Sequence, residues 1–183
     1  MEITRTARLR LRTANLDDTA FYYTLVNDPA FIEHIGDRGI RSLDDARQAL
    51  LAGPIAMQET RGHSLYMVEL KEEGSPDGHV AIGMCGLIKR DTLDEIDIGY
   101  AYLPDWRGQG YAFEAARAVL DYAPTIGIRR LLAITSPNNL ASNGLLRKLG
   151  MSFVHFTHLV PEDAGSNLYS LELEDRHSGH CPK

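Results

Sequence analysis

The residues best suited to bind a ligand stand directly before a predicted helix. Residues 111–123 carry apolar side chains at helical spacing, but the stretch before them, Arg107-Gly108-Gln109-Gly110, has no Ser, Thr, Asp or Asn to cap the first helical amides. Free amides at the positive end of a helix dipole bind anions, and glycines let a ligand approach the backbone closely. The stretch therefore predicts a phosphate-binding loop, with a tight turn whose amides bind water as the alternative.

The common nucleotide-binding patterns do not fit this stretch. Phe113 stands where a dinucleotide-binding loop has its third glycine, and no acidic residue ends the next predicted strand about 20 residues further on. No Gly-Lys-Ser or Gly-Lys-Thr follows the glycines either. A nucleotide loop of either kind is disfavoured, and with it a nicotinamide-dependent oxidoreductase.

The elements that must position this loop are predicted by hydrophobic periodicity. Strands are expected at residues 8–13, 64–71, 79–90, 94–102, 129–135, 152–160 and 167–174. Helices are expected at 16–27 behind Asn15, at 43–52 behind Ser42 and Asp45, at 111–123, and from Asn138 or Asn139 to Gly150. Residues 73–78 form the turn of a hairpin, and residues 27–41 are interpreted as a loop. This order predicts an α/β (α+β) fold with helices on both faces of a mixed sheet.

Length and composition favour one ordinary soluble domain. The chain has 183 residues, 44% of them hydrophobic and 24% charged, with a formal net charge of −6. We expect a single domain over residues 1–175 and a disordered tail over 176–183. The acidic balance argues against nucleic acid, and Cys85 and Cys181 are too few for a disulfide framework or a zinc site. Because no apolar leader or membrane-length apolar run is present, the protein is expected to be cytoplasmic, without a membrane partner.

A family resemblance rests on three stretches. Arg107-x-x-Gly110-x-Ala112 resembles the Q/R-x-x-G-x-G/A pyrophosphate loop of the GNAT superfamily of acetyl-coenzyme A-dependent N-acetyltransferases. The stretch IDIGYAYLPDWRGQGYAFEA around the loop and the downstream NNLASNGLLRKLGM resemble the branch that includes the ribosomal-protein alanine N-acetyltransferases. The resemblance implies the GNAT fold, a mostly antiparallel mixed sheet. Strands 94–102 and 129–135 would splay apart at a central bulge, with the pantetheine arm in the opening.

The resemblance also implies how acetyl-coenzyme A would bind, without a metal. The pyrophosphate would accept bonds from the amides of Gln109, Gly110, Tyr111 and Ala112, with Arg107 and Gly108 beside them. The amide of Ala101 or Tyr102, freed by the bulge, would donate to the thioester oxygen. Asn139 would bind the pantetheine arm, cap its own helix, or do both.

Acetyl transfer to an amine needs a base for the amine and an acid for the leaving thiolate. Strand alternation separates two sets of side chains, Ile96, Ile98 and Tyr100 toward the core and Glu95, Asp97 and Gly99 toward the opening. Asp97 is the first candidate base, acting through water, and Glu95 the second; alternatively, both only hold the amine or solvate the strand. By the resemblance, Ser142 lies near the coenzyme sulfur as the acid, and the alternative is a first-turn hydroxyl that satisfies a backbone donor.

The predicted function is direct acetyl transfer from acetyl-coenzyme A to a primary amine, either a protein amino terminus or a small-molecule amine. The alternative is a non-catalytic acyl-coenzyme A-binding module of the same fold. Acceptor specificity is expected to lie in residues 28–41 and 155–167, which carry no readable motif. The sequence leaves the identity of the acceptor and homodimerisation open.

Overall fold

Eight strands form one continuous sheet. The computed structural model of the protein describes residues 1–71 and 78–173. The strands are β1 (Glu2–Arg5), β2 (Leu9–Thr13), β3 (Leu65–Lys71), β4 (His79–Lys89), β5 (Ile96–Tyr102), β6 (Arg130–Thr135), β7 (Ser152–Thr157) and β8 (Ser166–Glu172). Their order across the sheet is β1-β2-β3-β4-β5-β6-β8-β7, and within the described residues only β5 and β6 are parallel neighbours. The predicted mixed, mostly antiparallel sheet is confirmed.

Helices cover both faces of this sheet. They are α1 (Thr19–Val26), α2 (Pro29–His34), α3 (Leu43–Leu50), α4 (Ala56–Arg61), α5 (Tyr111–Tyr122) and α6 (Leu140–Lys148), with a π-helical stretch, Leu51–Ile55, joining α3 to α4. Two of the predicted helix starts are confirmed, and each is a capping box. Asn15 forms one with Asp18, before a short 3₁₀ turn that leads into α1, and Ser42 forms the other with Asp45, before α3. These boxes satisfy amides that a helix start leaves without partners.

Some elements differ from the prediction. Residues 27–41, interpreted as a loop, contain α2, whose first amides bond to the Asp28 carboxylate and whose first residue is Pro29. β1 and α4 were not predicted, and β5 begins at Ile96 instead of residue 94 because a turn and bend occupy residues 91–95. Most of the predicted turn at 73–78, the tail at 176–183 and Cys181 lie outside the described residues.

The two faces of the sheet carry different helices. On one face, α5 and α6 bury apolar residues such as Val119 and Leu146 against Val68 and Ile98. On the other face, α1 and α2 pack on a smaller cluster around Met67, Met84 and Ala101. Burying each large apolar side chain contributes roughly 1.5–3 kcal/mol before entropy is subtracted, so both faces hold their helices firmly against the sheet.

The sheet opens between β5 and β6. The two strands pair only at Asp97 and Leu132, whereas β6 pairs with β8 along its whole length, from Arg130 to Thr135. β4 and β5 keep one unbroken register from Lys89–Ile96 to Gly83–Tyr102. The predicted bulge in β5 is therefore wrong: the strands splay because β6 follows β8 away from β5.

Candidate active site

A cavity of about 1200 Å³ occupies the opening between β5 and β6. It is bounded by α5 and α6 on one face of the sheet and by α1 and α2 on the other. Most of the predicted site residues line it, namely Asp97, Ala101, Tyr102, Arg107, Gly108, Gly110, Tyr111, Ala112, Asn139 and Ser142. The cavity thus passes through the sheet and connects two differently lined halves.

The glycine loop leaves the start of α5 open. Gly108 and Gly110 have φ angles of 73° and 84°, and no side chain caps the helix. The first intrahelical bond runs from the Glu114 amide to the Gly110 carbonyl, so the preceding amides of the first turn have no helical partner. A Cβ at Gly108 would meet nothing within 4 Å. The loop is a cradle of amides at a positive helix end, which fits a phosphate group.

Arg8 supports this loop from β2's amino-terminal side. Its guanidinium donates to the Gln109 carbonyl at 3.2 Å and to Glu114 at 2.7 Å, and it lies 4.4 Å from the ring centroid of Tyr111. These contacts fix the loop and place a positive charge beside the first turn of α5. Sequence reasoning gave Arg8 no functional role, because its partners lie about a hundred residues away. Gln109 itself does not line the cavity.

The side chain of Arg107 is directed to the protein, not to the open amides. Its Nε donates to the Tyr102 carbonyl at 2.9 Å, and an Nη donates to the buried Asp28 carboxylate at 2.5 Å. Asp28 also accepts the amides of Ala30 and Phe31 as the cap of α2. Arg107 therefore ties the glycine loop to α2, and its charge is balanced by Asp28.

The backbone of β5 presents amides to the opening. The Leu103 amide donates to the carbonyl of Ile82 in β4 at 3.0 Å. Since successive residues of a strand direct their amides to opposite edges, the Ala101 amide faces β4 and the amides of Tyr102 and Tyr100 face the edge from which β6 diverges. Of the two predicted oxyanion donors, Tyr102 has the suitable direction and Ala101 does not.

Two hydroxyl groups meet across the opening. The Tyr100 hydroxyl lies 2.8 Å from Ser142 Oγ, and the Ser142 amide donates to Asn139 Oδ1 at 3.0 Å. Burial raises the pKa of Tyr100, so its hydroxyl stays protonated at neutral pH. The cap by Asn139 orders the first turn of α6, and the contact between Tyr100 and Ser142 joins that turn to β5. Sequence reasoning assigned Tyr100 to the core alone, and its only sequence signal was its place before the glycine loop.

Asp97 and Glu95 have separate environments. Asp97 is 1% exposed, and both its oxygens accept from Arg90 Nε, at 3.0 and 3.1 Å. Burial raises the pKa of Asp97, while Arg90 opposes that rise. Glu95 is exposed in the bend before β5 and does not line the cavity, which differs from its predicted position beside Asp97. Of the two predicted bases, Asp97 lines the cavity and Glu95 does not.

Other reactive groups lie outside this arrangement. Cys85 is wholly buried, as expected, and burial raises the pKa of its thiol. Within residues 1–71 and 78–173, no cluster of three or more His, Cys, Asp or Glu side chains could hold a metal ion. Across the same ranges no helix combines the length and the apolar character needed to cross a membrane.

The sequence and the fold of this chain are both similar to those of known proteins. The family model described as acetyltransferase (GNAT) domain matches residues 8–152. The uncharacterized N-acetyltransferase YnaD of Bacillus subtilis strain 168 is 27% identical over 154 residues, which cover 82% of each chain. The acetyltransferase from Agrobacterium tumefaciens strain C58 is 26% identical with a TM-score of 0.73, covering 92% of this chain and 93% of that one. RimL, a ribosomal L7/L12 α-N-protein acetyltransferase in complex with coenzyme A, shares the fold at 18% identity, with a TM-score of 0.78 over 94% of this chain and 98% of that one.

Proposed function

Because the chain belongs to the acetyltransferase (GNAT) domain family and is an acyltransferase, we propose that it transfers an acetyl group from acetyl-coenzyme A directly to a primary amine. The acceptor is a protein amino terminus or a small-molecule amine. The observation that carries the proposal is the cavity through the sheet, which has open amides at one end and the Tyr100–Ser142 pair beside the β5–β6 opening. In this arrangement the coenzyme and the amine would bind on opposite faces of the sheet.

The α5 side of the cavity suits the coenzyme. The amides of Gly110, Tyr111 and Ala112 would donate hydrogen bonds to the pyrophosphate oxygens, because they lie at a positive helix end without a capping side chain. Acetyl-coenzyme A, when bound, supplies the thioester that carries the acetyl group. The complex of RimL with coenzyme A supports use of this co-substrate by the fold.

The β5 edge and α6 suit the reacting thioester. The Tyr102 amide, or that of Tyr100, would donate to the oxyanion that forms during attack, since both amides face the opening. Ser142, bonded to the Tyr100 hydroxyl, would give the leaving thiolate its proton, and the amino-terminal end of α6 would stabilise the thiolate charge. In this role the two hydroxyls act as one unit.

The amine would enter from the side of α1 and α2. Asp97 lies on the same strand face as Ala101, which packs beneath those helices. A carboxylate there would take the proton of the attacking amine through a chain of water molecules. Asp97→Asn is therefore expected to lower kcat/KM for the acceptor most at low pH, where the amine is protonated. Part of the loss should be recovered as the pH rises.

A mass-spectrometric screen tests the function itself. Acetyl-coenzyme A and the protein would be incubated with peptides that have free amino termini and with small amines, and acetylated products measured. Turnover of at least one primary amine supports the proposal. Tight coenzyme A binding by calorimetry without any amide product across the panel would contradict it.

A further inference from the structure

Arg90 lines the acceptor half of the cavity, and within the described residues part of its donor set is unused. Arg90 follows β4, lines the cavity and is 27% exposed at its side chain. We propose that Arg90 binds a carboxylate of the acceptor, so that the preferred substrate is a small amine that also carries a carboxylate. This inference rests on the proposed amine acetylation and specifies its acceptor.

Asp97 holds Arg90 by one edge only. Both carboxylate oxygens of Asp97 accept from Nε, and among residues 1–71 and 78–173 neither Nη of Arg90 has a hydrogen-bond partner. A guanidinium has five donors in a rigid fork, and a pair of them matches the two oxygens of a carboxylate. A buried carboxylate behind the arginine therefore fixes its orientation and leaves its remaining edge for a ligand.

Arg107 also lines the cavity and has an ion-pair partner, but its surroundings differ from those of Arg90. Arg107 has both a carbonyl and the Asp28 carboxylate as partners, so its fork is used within the protein. Arg38 also lines the acceptor half and adds positive charge, while Glu33 opposes it. Arg90 is thus the cavity arginine whose orientation is fixed by a carboxylate while both its Nη groups are without a partner in the described residues.

The position of Arg90 limits the size of the acceptor. Strand rise puts Asp97, which holds Arg90, about 10 Å from Tyr100 along β5, so an acceptor bound to Arg90 by its carboxylate must span part of that length to bring its amine to the opening. The arginine is also recessed, so the carboxylate must enter the cavity. Longer amino acids and short peptides, whose amine and carboxylate can be separated by up to about 10 Å, meet both conditions.

Matched acids and amides test this assignment. Amino acids and dipeptides would be assayed as free carboxylates and as carboxamides, with acetyl-coenzyme A saturating and kcat/KM measured for each pair. Arg90→Lys keeps a charge opposite Asp97 but lacks the fork. The double variant Arg90→Gln/Asp97→Asn removes both charges together, so that no buried carboxylate is left unpaired. Arg47→Gln changes the same charge on exposed α3, outside the cavity.

The parent and Arg47→Gln are expected to prefer the free acid over its amide by roughly 10- to 100-fold at one or more spacings. Both Arg90 variants are expected to lose most of that preference while retaining coenzyme A affinity by calorimetry. Equal rates for acid and amide at every spacing, or a preference that survives both variants, would overturn the inference. Failure of the proposed function is distinguishable, because then no amine on the panel is acetylated.

Discussion

Removing the hydroxyl of Ser142 separates a catalytic role from a structural one. Ser142→Ala is expected to lower kcat by about a hundredfold, which corresponds to about 2.7 kcal/mol of transition-state stabilisation for a lost general acid. The apparent affinity for acetyl-coenzyme A should change little, because the proton is needed only as the thiolate leaves. The variant also loses the 2.8 Å bond to Tyr100, which should lower the free energy of unfolding by about 1 kcal/mol.

Tyr100→Phe extends the test to the pair. If the two hydroxyls act as a unit, Tyr100→Phe should also lower kcat, and the double variant should be little slower than Ser142→Ala alone. Independent roles would instead multiply the two losses. The coupling is calculated from kcat values of the parent, the two single variants and the double variant.

The control is a second tyrosine hydroxyl, from β8, that bonds to the same helix α6. The Tyr169 hydroxyl donates to Asn143 of α6, also at 2.8 Å, but neither residue lines the cavity. Tyr169→Phe should therefore lower the melting temperature without a comparable loss of kcat. Steady-state rates and single-turnover quench measurements with one good acceptor, across a pH series, supply the data. Full kcat in Ser142→Ala with chemistry rate-limiting would refute the assignment, and so would rescue of that variant by raising the pH.

Three further perturbations have defined outcomes. Gly110→Val should weaken coenzyme A binding, measured by calorimetry, about tenfold or more. The control Gly62→Val, with a similar φ of 74° outside the cavity, should show only the backbone strain of roughly 1–2 kcal/mol, and equal coenzyme A affinities for the two variants would contradict the phosphate-loop assignment. Because burial raises the pKa of Asp97 above its ordinary 3.8, ionisation of Asp97 destabilises the folded parent as the pH rises from that value. The melting temperature of Asp97→Asn minus that of the parent should therefore increase with pH, and a decrease with pH would contradict the raised pKa. Arg107→Ala should lower the free energy of unfolding in urea by about 1–2 kcal/mol, a modest loss because the side chain is 40% exposed. It should also raise KM for both substrates, and a raised KM for only one substrate would exclude coupling of the two sites through Asp28.

Local signals in the sequence predicted helix starts on both faces of the sheet. Capping residues at Asn15, Ser42 and Asn139 and the uncapped glycine loop all appear where expected, because each depends on neighbours within a few residues. The helix α2 was missed although Asp28 and Pro29 form a cap and a first helical turn, since six residues are too few to establish periodicity.

Contacts between distant residues could not be predicted in this way. The pairs Tyr100–Ser142 and Arg107–Asp28 join residues 42 and 79 positions apart, and each depends on how helices pack on the sheet. The alternation of β5 correctly directed Asp97 away from the core face, but its ion pair with Arg90 depends on the turn that reverses the chain between β4 and β5. The predicted bulge failed because the course of β6 is set by β8, which is distant in sequence.

If the acceptor binds beside α2 as proposed, the bond between Arg107 and Asp28 would couple the two substrate sites. A displacement of α2 by an incoming acceptor changes the same contact that restrains the residue before the coenzyme loop. Linkage of this kind is reciprocal: the factor by which bound coenzyme alters acceptor affinity equals the factor by which bound acceptor alters coenzyme affinity. The Arg107 guanidinium would thereby make the binding of the two substrates synergistic. The synergy is measured as the ratio of coenzyme dissociation constants with and without acceptor.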